Sequence, residues 1–347
     1  MRTANIAGRN LPADDDVYII AEAGVNHNGS LENAHELIDI AVRSGADAVK
    51  FQTFSPEKLV SVTAATAAYQ RQGAGVQDQR TLLEGLTLPG SAWKELQAHA
   101  LENAIAFLST PFDIDSAEML VGLGLPALKV SSGELTNLPF LRALSSMDVT
   151  LLVSTGMGTE AEVGAAIEAC ADAPGIVLFH CVSAYPAPID QCNLRAIPSM
   201  SRKFDVPVGW SDHTTGMITA LGAVALGASV LEKHFTSDRG LPGPDHLASL
   251  EPDELIQYVS STKEIALALG DGIKVRMPAE EANAPLVRRS WHAATDLPAG
   301  AALAEQNLSL LRPEDGISST VDLSGRVLSR QVKAGSPITA LDLEETA

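Results

Sequence analysis

A chain of 347 residues has room for one large domain and a small second one. Its 46% hydrophobic content with only 4% aromatics, rich in Ala, Gly, Val and Leu, suits helices alternating with parallel strands better than an aromatic-rich β-sandwich. With 24 basic and 43 acidic residues, the net charge of −19 repels a nucleic-acid backbone or an anionic membrane, so an anionic small substrate needs a locally basic pocket.

Residues 1–5 are polar and lead into no apolar signal core, and the uncharged stretch 217–231 is too short to span a bilayer. Cys170, Cys181 and Cys192 show no CxxC spacing and read as reduced thiols, which gives an expectation of a cytoplasmic protein.

In chain order, short apolar runs predict strands at 17–21, 48–51, 106–109, 127–130, 151–153, 176–179, 206–210 and 230–232. Helical patterns follow them, for example at 31–44, 91–103, 159–170 and 215–226, with Gly45 and Gly227 placed to end two of them. Eight such units predict an α/β fold, a (β/α)8 TIM barrel over residues 1–270, with a doubly wound open sheet as the competing architecture. The connection 54–88 is long for a barrel loop, so it is expected to shape a substrate site and to carry a short helix at 78–84. Residues 271–287, with Pro278 and Pro285, read as a linker. Residues 288–347 read as a small β-rich domain with strands at 290–294, 308–311 and 329–332.

Polar residues gather at the C-terminal end of every predicted barrel strand, where such barrels build their sites. In order they are Glu22 with Asn26-His27-Asn28; Lys50 and Gln52; Ser109-Thr110; Lys129, Ser131, Ser132 and Glu134; Ser154-Thr155-Gly156; His180, Ser183 and Tyr185; Ser211-Asp212-His213; and Glu232, Lys233 and His234. Lys50 and Lys129 end apolar strands, which costs energy unless an anion pairs with them. They are either structural salt bridges or a phosphate and carboxylate subsite, assisted by Ser132, Ser154 and the free amides around Gly133 and Gly156. His213 and His234 end neighbouring strands and are either hydrogen-bonded loop residues or ligands of one divalent metal. Glu232 lies two residues before His234, on the same face, where it could orient or deprotonate a water. Two protein ligands imply a water-rich sphere suited to Mn²⁺ or Mg²⁺.

These blocks resemble the sialic acid synthases. The resemblance runs from Ile20-Ala21-Glu22-Ala23-Gly24-Val25-Asn26-His27-Asn28-Gly29 through Lys50-Phe51-Gln52-Thr53, Ser109-Thr110-Pro111-Phe112 and Lys129-Val130-Ser131-Ser132-Gly133-Glu134. It continues in Ser154-Thr155-Gly156-Met157, His180-Cys181, Tyr185-Pro186, Gly209-Trp210-Ser211-Asp212-His213, Glu232-Lys233-His234-Phe235 and Leu241-Pro242-Gly243-Pro244-Asp245-His246. In the tail, Arg289-Ser290 and Asn307-Leu308 through Arg312-Pro313 look like the family's antifreeze-like (SAF) domain.

The resemblance implies condensation of phosphoenolpyruvate with N-acetylmannosamine or a related N-acylated hexose, giving a nonulosonic acid and phosphate. It places phosphoenolpyruvate on Lys50, Lys129, Ser132, Ser154 and Gly156, and a divalent metal on His213 and His234. The sugar falls to Glu22, Gln52, Thr110, Phe112, Ser183, Tyr185 and Asp245. Arg312 is implied to reach the sugar's N-acyl group in the other subunit of a homodimer with exchanged C-terminal domains. Glu134 and Glu232 are the carboxylates to test for water activation, alongside Glu22, Lys50 and Lys129 as catalytic groups.

Ser183, Gly73-Ala74-Gly75 and Leu311 depart from the family pattern, the first two near the sugar side. Tyr69-Gln70-Arg71 and the Leu-Pro-Gly-Pro-Asp-His form look closer to sialate and legionaminate synthases, so an N,N'-diacetyllegionaminate synthase is the alternative. Two other classes compete: a Schiff-base aldolase with Lys129 as the amine, and a non-catalytic carbohydrate-binding protein.

Overall fold

The computed structural model describes residues 2–13, 16–61 and 78–345. Tyr69-Gln70-Arg71 and Gly73-Ala74-Gly75 lie outside the described residues. The chain forms two compact units, Met1–Asp271 and Gly272–Ala347.

The first unit opens with a hairpin, β1 (Ala4–Ile6) antiparallel to β2 (Arg9–Leu11). Eight parallel strands follow: β3 (Tyr18–Gly24), β4 (Ala48–Thr53), β5 (Ala106–Pro111), β6 (Ala127–Val130), β7 (Thr150–Ser154), β8 (Ile176–Cys181), β9 (Val208–Asp212) and β10 (Val230–His234). β10 pairs with both β9 and β3, which closes the barrel and excludes the open sheet.

Strand period explains the barrel's two cores. Ile19, Val49, Leu128, Leu151, Leu178 and Leu231 point outward against the helices. Their alternating neighbours Tyr18, Ile20, Ala48, Leu108, Ala127, Leu152, Val177, Phe179 and Val230 fill the interior, where they meet Ala4, Ile6 and Leu11 of the hairpin. The hairpin therefore plugs the N-terminal end of the barrel. The sequence reading missed it, because three-residue strands carry too little alternation to detect.

Gly209 is the interior residue of β9 that admits its large neighbours. A Cβ there would sit 2.4 Å from Val230 Cγ1 and 2.5 Å from the Val230 carbonyl oxygen. Backbone cannot yield as a side chain does, so Gly209→Ala is expected to cost about 3 kcal/mol. A lower midpoint in urea unfolding, with an unchanged slope, is the check.

The helix Leu31–Ser44 starts on Ser30, whose side chain accepts from the Asn33 amide, and ends on left-handed Gly45. The helix Glu160–Ala169 opens on a capping box of Thr159 and Glu162. The helix after β9 begins at Ile218 rather than 215, because Thr214 and Thr219 hydroxyls both bond the Asp212 carboxylate and hold the intervening chain in a turn. Among the described residues, no helix is long and apolar enough to cross a membrane.

The second unit pairs β11 (Ser290–Ala293) antiparallel with β12 (Leu308–Leu311). The expected strand at 329–332 does not form. Single bridges such as Leu297–Val332 and Leu328–Leu343 take its place, because Gly- and Pro-containing turns interrupt the chain before a ladder can extend. Leu297, Leu303, Leu328 and Ile338 make this unit's own core.

Candidate active site

The barrel strands run further than their apolar runs. β3 reaches Gly24, β8 reaches Cys181 and β10 reaches His234, so most of the polar candidates sit on strands, not loops. Strand parity then decides which candidates face inward. Glu22, Lys50, Gln52, Thr110, Lys129, Ser154, Glu232 and His234 continue the interior columns and line one cavity of about 530 Å³, with His213 just past β9.

Two lysines and two carboxylates occupy its floor. Lys50 Nζ lies 2.7 Å from Glu22 Oε2 and 3.6 Å from Glu232 Oε2, and donates to Thr110 Oγ1 at 3.0 Å. Lys129 Nζ lies 3.4 Å from Glu232 Oε1, donates to Ser154 Oγ at 2.6 Å and sits 5.1 Å above the Phe179 ring. Glu232 also accepts from Ser211 Oγ at 2.9 Å, and Glu22 from Gln52 at 3.2 Å.

Charge follows from this layout. Burial drives the Glu22 carboxyl up, to about 7, with Lys50 only partly opposing it. Burial also pushes Glu232 up, but Lys129 and then Lys50 outweigh it and hold this carboxyl well below its ordinary value. Lys129 is lowered by burial; Lys50 is raised, because its two carboxylates overcome burial.

The imidazoles face the cavity from the other side. Their ring centroids are 5.9 Å apart, with the Tyr185 ring 4.2 Å from that of His213 and tilted 34° to it. His213 Nδ1 lies 2.7 Å from the Val182 carbonyl and must donate to it, which leaves Nε2 as the acceptor, 3.2 Å from Tyr185 Oη. Buried His234 Nδ1 has no hydrogen-bond partner among the described residues. Burial holds His213 down to about 4 and His234 well below the usual value, so both rings are neutral. A neutral His234 with an unpartnered Nδ1, beside a neutral His213 whose Nε2 lone pair meets only the Tyr185 and Ser211 hydroxyls, gives the imidazole donors a divalent cation needs, so the residues fit one metal held by two protein ligands. Among the described residues, no group of three or more His, Cys, Asp or Glu forms a fuller cage.

Ser132, Ser183 and Tyr185 also line the cavity. The Gly156 amide donates to Ser132 Oγ at 3.1 Å, and a Cβ at Gly156 would meet Ser183 Oγ at 2.3 Å, so a side chain there would collide with this wall. Phe112 and Asp245 complete the sugar-side candidates, with burial raising Asp245 to about 6.

Glu134 is not brought into the lining. The chain leaves strand geometry after β6 in the turn Ser132–Glu134, and its carboxylate instead accepts from Asn137 Nδ2 at 2.7 Å. Arg312 belongs to the second unit, next after β12, with an exposed side chain.

Parity also assigns structural roles within the motif blocks. Lys233 points outward and pairs with Asp212 at 3.3 Å, both side chains fully buried. Asn26 Nδ2 donates to the Phe235 carbonyl at 2.7 Å and Asn28 Nδ2 to the Pro242 carbonyl at 2.9 Å, tying the loop after β3 to the loop that carries Asp245. The sequence reading set Ser211 in the cluster at the end of its strand but gave it no role; its place two residues before His213, on the same face, was the available signal.

A closed (β/α)8 barrel with ammonium groups, carboxylates and neutral imidazoles converging at its C-terminal mouth has the makings of a barrel enzyme that handles anions. Residues 37–274 match the NeuB family and residues 288–344 the SAF domain. The chain belongs to the NeuB family.

An N,N'-diacetyllegionaminic acid synthase of Campylobacter jejuni is 44% identical, over 91% of this chain and 96% of that protein. Its counterpart of the same name from Legionella pneumophila is 43% identical, over 92% and 93%. The crystal structure of N-acetylneuraminic acid (sialic acid) synthetase from Leptospira borgpetersenii, in complex with citrate, superposes with a TM-score of 0.73 at 31% identity, over 81% of this chain and 95% of that one.

Proposed function

We propose that this chain is a phosphoenolpyruvate-dependent synthase, which joins phosphoenolpyruvate to an N-acylated hexose aldehyde and releases phosphate and a nonulosonic acid. The observation that carries this reading is the convergence of Lys50, Lys129, His213 and His234 on a single cavity. The relatives' names support the same chemistry.

In this reading Lys129, Ser154, Ser132 and Lys50 hold the carboxylate and phosphate of phosphoenolpyruvate, with the Gly156 backbone approaching closely. Carbon 3 of the enol forms the new bond to the aldehyde carbon, whose oxygen ends as a hydroxyl. Carbon 2 takes the oxygen of a water; one of its protons passes through Glu232 to the former aldehyde oxygen, and the other leaves with the phosphate as the C–O bond cleaves and carbon 2 becomes a ketone. Glu22, Gln52, Thr110, Tyr185, Ser183, Phe112 and Asp245 orient the open-chain sugar. A divalent cation, Mn²⁺ or Mg²⁺, on His213 Nε2 and His234 would polarise the aldehyde as a Lewis acid.

The sugar proposed is 2,4-diacetamido-2,4,6-trideoxymannose, because the relatives at 44% and 43% identity carry the diacetyllegionaminic name while the N-acetylneuraminic acid synthetase stands at 31%. N-acetylmannosamine is the second candidate. The same reading assigns catalysis to residues 1–270, joined by 271–287 to the SAF domain at 288–347, in a cytoplasmic homodimer with exchanged C-terminal domains. Arg312 would there serve the partner subunit's cavity. The resemblance and the SAF match support this arrangement, and the three buried free cysteines support the location.

Phosphate release measured with each sugar, with and without Mn²⁺, is the test. Turnover is expected with at least one sugar, to fall to background in excess chelator, and to return on adding Mn²⁺ or Mg²⁺. Silence with both sugars would sink the proposal.

A further inference from the structure

The ladder that joins β9 to β10 stops one residue short of the imidazoles. Its last registered partners are Asp212 and Lys233, and His213 and His234 each come one position later. Strand parity turns both histidines into the cavity and both of their predecessors away from it.

Behind the histidines, Asp212 and Lys233 form a cross-strand ion pair, 3.3 Å apart with both side chains fully buried. The pair grips the residue that follows His213. Lys233 Nζ donates to the Thr214 carbonyl at 2.5 Å, while Asp212 Oδ1 accepts from the Thr214 amide at 2.9 Å and from Thr214 Oγ1 at 2.7 Å. Thr219 Oγ1 donates to the same carboxylate oxygen at 3.1 Å. The Tyr258 ring of the helix Pro252–Leu269 closes the back, its centroid 5.9 Å from Lys233 Nζ. His213 thus sits between two residues, Asp212 and Thr214, that are both bound to the immediate neighbour of His234.

We propose that the Asp212–Lys233 pair is a positioning device that sets the spacing of the two imidazoles, and with it their hold on a divalent cation. The inference rests on the metal assigned under the reading above and adds the two residues that prepare the site for it. With only two protein ligands, affinity depends on how well both rings are held in place before the ion arrives. Sealing the back of the strands does not itself need charge, because a buried ion pair is in general no more stabilising than apolar side chains of similar volume. Apolar side chains could not bond the Thr214 amide and carbonyl. Those bonds join the segment that carries His213 to the strand that carries His234.

Lys129 and Ser154 rise from β6 and β7, which β8 separates from β9 on one side and β3, β4 and β5 separate from β10 on the other. Disturbing the pair is therefore expected to weaken the metal side of the cavity far more than the phosphoenolpyruvate side.

The experiment measures Mn²⁺ binding to the full chain by isothermal titration calorimetry, alongside steady-state kinetics. His213→Ala should abolish the binding, which locates the ion. Lys233→Met alone strands a buried carboxylate and risks misfolding. The double variant Asp212→Asn, Lys233→Met removes both charges, and its asparagine oxygen can still accept from Thr214 and Thr219. It is expected to bind Mn²⁺ about 10- to 100-fold more weakly, the usual cost of losing a group that orients metal ligands. Its kcat should fall at low Mn²⁺ and recover in excess Mn²⁺, with the KM for phosphoenolpyruvate within about threefold of wild type. Leu96→Ala opens a cavity under the helix Ala92–Glu102, which packs on β5. It should destabilise the fold yet leave the Mn²⁺ affinity within about twofold, which separates positioning from general loss of stability.

A double variant that binds Mn²⁺ within about threefold of wild type overturns the inference while leaving the synthase intact. So does an equal weakening in Leu96→Ala. Wild type that binds no Mn²⁺, or binds it equally well as His213→Ala, overturns the metal assignment and the inference together.

Discussion

Glu232→Gln is expected to lower kcat by about a thousandfold, within the range for a positioned acid or base. The KM for phosphoenolpyruvate should stay level or fall. Glu232 is the carboxylate both lysines share, 3.6 Å from Lys50 and 3.4 Å from Lys129, and Ser211 fixes its orientation. The amide keeps the shape and can still accept from Ser211, but it cannot take a proton from water. It also removes a negative charge that competes with the substrate for the same two ammonium groups.

Glu134→Gln should change kcat less than about threefold, since that carboxylate is engaged by Asn137 outside the lining. Steady-state kinetics on both variants, with thermal unfolding to confirm that each is folded, decides the matter. A kcat for Glu232→Gln within tenfold of wild type would remove Glu232 from the chemistry.

Lys129→Met is expected to act mainly through the donor substrate, lowering kcat/KM for phosphoenolpyruvate by about a thousandfold, equivalent to about 4 kcal/mol. One or two charge-assisted hydrogen bonds to an anion in a buried site account for that size. Methionine can keep the packing over the Phe179 ring, 5.1 Å from the ammonium in the native protein. Lys50 stays to balance Glu232, so the effect should read as lost substrate affinity more than lost fold.

The same residue separates the synthase from an aldolase, because its buried and depressed amine has the environment of a Schiff-base lysine. Borohydride added in the presence of pyruvate should leave the mass of Lys129 unchanged. A reduced adduct on Lys129 would establish the aldolase instead.

How much of this was legible beforehand differs from residue to residue. Lys50 and Lys129 announced themselves, because an ammonium at the end of an apolar strand demands an anion wherever the strand lies. Ser211 did not, because a serine costs little in any setting and only its 2.9 Å contact with Glu232 gives it a part. Glu134 looked equivalent to Glu232 in the text. Three residues of turn geometry separate it from the cavity, and local spacing carries no record of that rotation. The hairpin at the barrel floor escaped because its six paired residues derive their stability from the interior they cover, not from their own alternation.

The amino-acid order alone determined the eightfold alternation, the polar ends of the strands and the pairs that share a face, since these depend on periods of 2 and 3.6 set by the backbone. It also determined the family, through ordered blocks whose residue types are tied to one chemistry. Tertiary structure decided what meets across the barrel: that one carboxylate bridges two lysines from different strands, and that Lys233 turns outward while its neighbours turn in. Those relations depend on closure of β10 against β3 and on the stagger between strands, and contacts between residues 212 positions apart leave no local trace in the chain.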